Sequence, residues 1–303
     1  METKSKNKII VILGPTSSGK TDLSIKLAKK FNGEVISADS RQVYKGMDIG
    51  TGKVTKKEMQ GIPHYLLDVA NPKTRFSVAQ YQKLATRAIK NIHKKNKVPF
   101  LVGGTGFYIQ SVVDGIVIPE VKPNWKLRGK LEKMTNEQLF ERLKALDPKR
   151  ADSIDRHNPR RLIRALEIVL GSKRPVGPLS KNTPFEALFL GIKKDQKELN
   201  KLIKKRLLKR LDEGMINEIK KLHKSGVTFK RLEEFGLEYR FVAQYLQGKL
   251  KYDQMVSLLN KEIEHYAKRQ MTWFKKDKRI LWVENFSQAK REAINFLRTK
   301  NQK

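Results

Sequence analysis

The chain has 303 residues, 39% hydrophobic and 8% aromatic, enough for a globular core of one large or two modest domains without disulfides or a structural metal. It has no cysteine, which excludes a disulfide scaffold, thiolate zinc sites, iron–sulfur clusters and a cysteine nucleophile, and fits a reducing compartment. Sixty-five Lys and Arg against thirty-one Asp and Glu give a formal net charge of +34, which favours polyanionic partners.

Met1–Lys8 is basic, but the apolar run behind it, Ile9–Leu13, is too short for a signal-peptide core and reads as a first strand. Nowhere does the chain approach the ~18 consecutive apolar residues of a membrane span, so a cytoplasmic protein with no membrane partner is expected. A helix follows over Thr21–Phe31, with Leu23, Leu27 and Ala28 at helical spacing and Asn32-Gly33 as its stop. Further strands are predicted at Glu34–Ser37, Val98–Val102, Leu188–Ile192 and Ile280–Val283, about five in all. Val78–Asn91 carries Val78, Tyr81, Ala85 and Ile89 on one helical face. Pro119–Pro123 breaks this alternation, and a charged, mostly helical stretch follows. In it, Asn158-Pro159 starts a helix and Gly171 ends it. Gln196–His223 reads as a long basic helix bending at Gly214, and Tyr252–Phe274 as another helix. Strands alternating with helices predict an α/β fold on a parallel sheet, with a helical insertion or second lobe. The expected division is a P-loop core at 1–117, a helical Arg-rich segment at 118–185, a core strand at 186–195, a helical RNA-binding lobe at 196–277, and a last strand and C-terminal helix at 278–303.

Gly14-Pro15-Thr16-Ser17-Ser18-Gly19-Lys20-Thr21 matches G-x-x-x-x-G-K-[ST] between a predicted strand and a predicted helix. Glycines let the backbone wrap an anion at the helix N-terminus, Lys20 adds a point charge, and the Thr21 hydroxyl is placed to hold Mg²⁺. The motif is a nucleotide- and ATP-binding signature. Yet the third predicted strand ends in Gly103-Gly104-Thr105, without the acid an NTPase uses to hold its metal, and Leu66-Leu67-Asp68 is a weak imitation.

Ligands of open α/β sheets bind beyond the carboxyl ends of the strands. Asp39 stands just past the second strand and Thr105 just past the third, both facing the bound substrate if these strands flank the P-loop strand. The structural alternatives are an Asx-turn of Asp39 with Ser40 or Arg41, and a helix N-cap at Thr105. Arg160, Arg161 and Arg164 crowd the first turns of the Asn158-capped helix, where cations oppose the helix dipole. That points to an anion, or to ion pairs with Asp155 and Glu167. Lys268-Arg269-Gln270 with Trp273-Phe274 mixes cations and aromatics, suited to RNA stacking or to the core.

Several segments together resemble one family, the tRNA dimethylallyltransferases (tRNA isopentenyltransferases). They are the P-loop; Ser37-Ala38-Asp39-Ser40-Arg41-Gln42-Val43-Tyr44-Lys45-Gly46-Met47-Asp48-Ile49-Gly50-Thr51; Pro63-His64; Leu101-Val102-Gly103-Gly104-Thr105-Gly106-Phe107-Tyr108; Arg160-Arg161-Leu162-Ile163-Arg164-Ala165-Leu166-Glu167; and Ala267-Lys268-Arg269-Gln270-Met271-Thr272-Trp273-Phe274. The resemblance implies a P-loop nucleotide-kinase-like fold and transfer of the dimethylallyl group of dimethylallyl pyrophosphate to N6 of the adenine 3′ of the anticodon, with Mg²⁺. It implies that residues 14–21 hold the pyrophosphate, that Asp39 is the general base, and that Thr105 bonds at the reacting adenine. It further implies that Asp39, Ser40, Arg41, Gln42, Thr105, Arg128, Arg160, Arg161, Leu162, Ile163, Arg164, Tyr239 and Arg240 contact the anticodon stem-loop of tRNA, and that the protein is a monomer. Gly52 and Val54 replace the family's usual Ala and Pro, and Leu202 stands where an arginine is frequent. The competing readings are a P-loop nucleotide or small-molecule kinase and a non-catalytic RNA-binding P-loop protein.

Overall fold

The computed structural model describes residues 7–119, 121–176 and 180–299. Residues 1–6 of the basic start, position 120 within Pro119–Pro123 and the last four positions of the tail lie outside them. The chain divides into two compact units: residues 1–114 with 184–303, and residues 115–183.

The first unit is built on strands β1 Lys8–Leu13, β2 Gly33–Ser37, β3 His64–Tyr65, β4 Val98–Gly103, β5 Glu186–Ile192 and β6 Ile280–Val283. They form one parallel sheet in the order β3-β2-β4-β1-β5-β6. β1 is central because its run of β-branched and leucine side chains is buried on both faces, as a doubly covered parallel strand requires. Its faces alternate with period two. Ile9, Val11 and Leu13 pack with helices Val78–Lys94, Gln196–Asp212 and Tyr252–Phe274, whereas Ile10 and Ile12 pack with Lys20–Lys30 and Phe286–Arg298. Burying each such side chain fully contributes roughly 1.5–3 kcal/mol.

β3 is a strand beyond the five expected. At two residues it is too short for a periodic signal; pairing Val35↔His64 and Ile36↔Tyr65 makes it, with the Tyr65 hydroxyl donating to buried Glu34 at 2.6 Å. β2 does not flank the P-loop strand as anticipated: β4 lies between them. The helix over Gln196–His223 is two, Gln196–Asp212 and Met215–Lys224, divided at Gly214 in the left-handed region. Their buried side chains join the sheet's own core rather than a separate lobe.

The second unit has its own core, in which Leu131, Leu139, Leu143, Leu162, Leu166 and Val169 of successive short helices interlock. Helix Pro159–Ser172 starts at Asn158, whose side chain accepts from the Arg161 amide, with Pro159 at the first position. Gly171 lies inside this helix, and the left-handed residue that ends it is Lys173. Among the described residues no helix is long and apolar enough to cross a membrane.

Candidate active site

A cleft of about 620 Å³ opens in the first unit at the carboxyl ends of the strands, lined by Thr16–Asp22, Asp39, Gln42, Gly52, Gly103, Gly104, Arg206 and Gln270 among others. Its floor is the loop after β1. Gly19 has φ 91° and precedes helix Lys20–Lys30 without a side-chain cap, so the first amides of that helix are open to an anion. Ser18 is buried, and its Oγ has no hydrogen-bond partner within the structure. Lys20 folds back to donate to the Pro15 carbonyl at 2.5 Å. Withdrawal of its ammonium from water, followed by the nearby Arg206 guanidinium, pushes the Lys20 pKa down to about 7, against the opposing pull of Asp39.

Arg206 reaches the cleft from helix Gln196–Asp212, one turn after Leu202, which also lines it. It donates to the Gly52 carbonyl at 3.0 Å. Burial and then Arg210 depress its pKa, while Glu238 and Asp39 oppose them. Gly52 itself has φ 59°, and a methyl group there would lie 2.1 Å from Arg206 Nη2, so the guanidinium occupies the space of the missing side chain. Loop Asp48–Gly52 is held from both directions. Its amides at Asp48, Ile49 and Gly50 donate to the Glu218 carboxylate at 2.8, 2.6 and 3.0 Å. The Gly50 carbonyl accepts from Arg210, which also pairs with Glu238 at 2.8 Å.

Asp39 forms the Asx-turn and also lines the cleft. Its Oδ1 accepts from the amides of Arg41 at 2.8 Å and Gln42 at 3.2 Å, an Asx-turn, while the residue lines the cleft and its charge acts on Lys20 and Arg206. Thr105 follows the end of β4, next to Gly104 of the cleft. It precedes helix Gly106–Val113 without capping it; its Oγ1 accepts instead from the Ser40 amide at 3.1 Å, tying the loop after β4 to the Asp39 loop. Tyr266 also lines the cleft. Burial, then the charge of Asp39, pushes its phenol up to about 12, keeping it a neutral O–H. Asp68, the weak imitation of a metal-binding acid, is committed to Lys53 at 2.6 Å.

Open helix amides, Lys20 and Arg206 on one cleft make this a site that can hold an anion. Among the described residues no three His, Asp or Glu side chains converge as metal ligands. The Thr21 hydroxyl beside a phosphate cradle fits a Mg²⁺ that shares its coordination with phosphate oxygens and water.

The expected RNA contacts divide. The side chains of Leu162 and Ile163 belong to the core of the second unit, and Tyr239 is fully buried with its hydroxyl donating to Glu218 at 2.8 Å. Helical periodicity places these three side chains inward, whatever motif they belong to. Arg160 and Arg161 are exposed at the start of their helix. Arg164 and Arg128 converge on Glu167, which is 1% exposed; Arg128 does so in fork geometry at 2.9 and 2.6 Å. The ion-pair reading of the arginine cluster therefore holds for Arg164. Arg41 donates to the Phe235 carbonyl at 2.6 Å, Gln42 to the Gly52 carbonyl at 3.3 Å, and Arg240 to the Glu233 carbonyl at 3.3 Å. Sequence reasoning passed over Arg206 and Glu218, and placed Gln270 only in a segment suited to RNA stacking or to the core. Their partners lie 154 to 254 positions away, and local spacing carries no such signal.

Comparison with known proteins places these features in context. The family model described as IPP transferase matches residues 42–277. The chain is 42% identical over 293 residues to tRNA dimethylallyltransferase 1 of Geotalea daltonii, covering 95% of this chain and 94% of that protein. It is 41% identical over 286 residues to tRNA dimethylallyltransferase of Acetivibrio thermocellus, covering 91% of each. Among solved structures, the full-length tRNA isopentenylpyrophosphate transferase of Bacillus halodurans matches with TM-score 0.73 and 37% identity over 96% of both chains. A eukaryotic dimethylallyltransferase captured acting on tRNA matches with TM-score 0.75 and 29% identity, over 96% of this chain and 77% of that one.

Proposed function

The chain belongs to the IPP transferase family, and from that premise we propose how its cleft carries out prenyl transfer. It is a transferase that moves a dimethylallyl group onto tRNA. The donor is dimethylallyl pyrophosphate, with its pyrophosphate on residues Gly14–Thr21. The acceptor is N6 of the adenine 3′ of the anticodon. One observation carries this reading: the cations Lys20 and Arg206 and the carboxylate of Asp39 open onto a single cleft.

An adenine amine is a weak nucleophile because its lone pair is delocalised into the ring, so the step depends on the leaving group, alignment and removal of a proton. The C1–O bond of the donor breaks, its electron pair leaving with pyrophosphate, as the N6–C1 bond forms. The amine proton passes to the Asp39 carboxylate. Thr105, whose Oγ1 accepts from Ser40, has its O–H left to donate and orients the base. Lys20, Arg206 and the open amides of helix Lys20–Lys30 offset the charge that grows on the leaving oxygen. The Thr21 hydroxyl would hold a Mg²⁺, which would supply Lewis-acid neutralisation of that charge. Exposed Arg160 and Arg161 contact tRNA phosphates, with Arg128, Arg164, Ser40, Arg41, Gln42 and Arg240 as further contact positions. The protein acts as a monomer in the cytoplasm.

The test is incubation with labelled dimethylallyl pyrophosphate and unmodified tRNA bearing an adenine next to the anticodon. Mg²⁺-dependent label in RNA, pyrophosphate release, and a mass increase mapped to that adenine are expected. No label at any Mg²⁺ concentration rejects the reading, and acceptor-dependent ADP release from ATP in the same mixture would mark a kinase.

A further inference from the structure

Helix Tyr252–Phe274 carries Gln270, a polar side chain only 7% exposed. Both ends of its carboxamide are engaged with backbone at the rim of the cleft. Oε1 accepts from the Thr16 amide at 2.9 Å, and Nε2 donates to the Gly104 carbonyl at 2.9 Å. Thr16 belongs to the phosphate loop after β1. Gly104 follows β4, the neighbouring strand, and directly precedes Thr105. One side chain thus joins the loop that holds the leaving group to the loop that presents the acceptor.

The bridge demands this residue type. A primary carboxamide donates and accepts at once; a carboxylate in its place would set oxygen against the Gly104 carbonyl and a negative charge beside the bound pyrophosphate. An aliphatic side chain would leave two buried backbone groups without partners. The bridge also dictates position 104: a methyl group there would lie 2.2 Å from Gln270 Nε2. One turn further along the same helix, the Trp273 indole closes against Gly106, where a methyl group would lie 2.3 Å from Nε1. The helix therefore fits the loop after β4 at two points and the phosphate loop at one.

We propose that Gln270 is a positioning residue that sets the distance between the phosphate loop and the Thr105 loop, and so the in-line approach of the acceptor amine to the donor's C1. It acts through Thr16 and Gly104, to which both ends of its carboxamide are committed. This inference rests on the transfer reading above. Because a misplacement of about 1 Å can cost on the order of 10²-fold in rate, the effect falls on turnover rather than on binding.

The experiment compares wild type, Gln270→Ala, Gly104→Ala and the double variant as full-length proteins with dimethylallyl pyrophosphate and unmodified tRNA. For Gln270→Ala, kcat is expected to fall by about 10²-fold while donor and tRNA affinities stay within about threefold of wild type. Gly104→Ala, which displaces the carboxamide without removing it, is expected to reproduce that split. The double variant should be no slower than the slower single one, because residues acting through one contact are not additive. An unchanged kcat in Gln270→Ala overturns the proposal, as do multiplicative effects in the double variant. A parallel loss of both affinities and of thermal stability also overturns it, in favour of a purely structural role. Wild-type protein that transfers no prenyl group rejects the transfer reading together with this one, whereas active wild type with an equally fast Gln270→Ala rejects the bridge alone.

Discussion

Asp39 holds a turn and is the base of the proposed transfer, and its variants separate the two. Oδ1 holds the turn at Arg41 and Gln42, so alanine removes the turn and the base together. Asp39→Asn keeps an oxygen acceptor for the turn and removes only the basicity. Turnover is expected to drop by about 10²–10⁴, the usual worth of a positioned base, with tRNA affinity unchanged in a filter-binding titration; residual turnover near wild type would assign the proton to another group. Lys20 makes a prediction in pH. An unfolded lysine titrates near 10.4, whereas this one in the ligand-free protein sits at about 7. Between those values the folded state holds fewer protons, so this group's contribution to stability rises with pH across the window. A bound pyrophosphate restores the ammonium, so binding above pH 7 takes up a proton and weakens as pH rises, by up to about tenfold per unit. Calorimetry at pH 8 in buffers of different ionisation enthalpy reads the uptake directly. Lys20→Met should abolish its Lys20 share; uptake identical in the two proteins would assign the proton elsewhere.

Elements far apart in the chain converge on loop Asp48–Gly52. Glu218 accepts from three of its consecutive amides and from Tyr239, and Arg206 and Arg210 take two of its carbonyls. Glu218→Gln replaces one acceptor oxygen by a donor and leaves at least one of these groups unpaired. It is expected to lower unfolding free energy by about 2 kcal/mol in urea and to weaken donor binding through a loosened Arg206. A loss of stability with donor affinity intact would show that Arg206 does not depend on the loop. This element also marks how far local reading extends. The phosphate loop, Asp39 and Thr105 were legible because their signals are contiguous: a strand, a glycine-rich turn and a helix, or a polar residue at a strand end. β3 was not, since two residues carry no period and its identity comes from the β2 edge and Glu34. Leu162, Ile163 and Tyr239 show motif and period pointing different ways. The motif drew them to the RNA, although the 3.6-residue period of their own helices assigns their side chains to the core. Glu218 was silent in sequence, and Gln270 stayed open between RNA and core, because a polar residue on a charged helix looks the same whether it faces water or a backbone 168 to 254 positions away.

At the scale of the whole molecule, the net charge of +34 is far larger than the proposed pyrophosphate site uses, since Lys20 and Arg206 are the cations invoked there. Many of the remaining cations are paired internally: Lys53 with Asp48 and Asp68, Arg128 and Arg164 with Glu167, Arg279 with Asp114 and Asp277. Internal pairing conserves the total, so the surplus stays on the exposed surface, where exposed pairs contribute at most about 1 kcal/mol and are screened by salt. A surplus of that kind binds a polyanion by releasing its condensed counterions. tRNA affinity should therefore fall steeply with salt: if six to ten phosphates are engaged, by about 10³–10⁵ between 50 and 200 mM. A filter-binding series over that range gives the slope. Arg160→Ala and Arg161→Ala should each lower its magnitude by about one, while Gln270→Ala leaves it untouched, because that side chain is bound to backbone inside the protein. A flat salt dependence would mean that the basic surface is only a solvated exterior and that tRNA is held by the cleft alone.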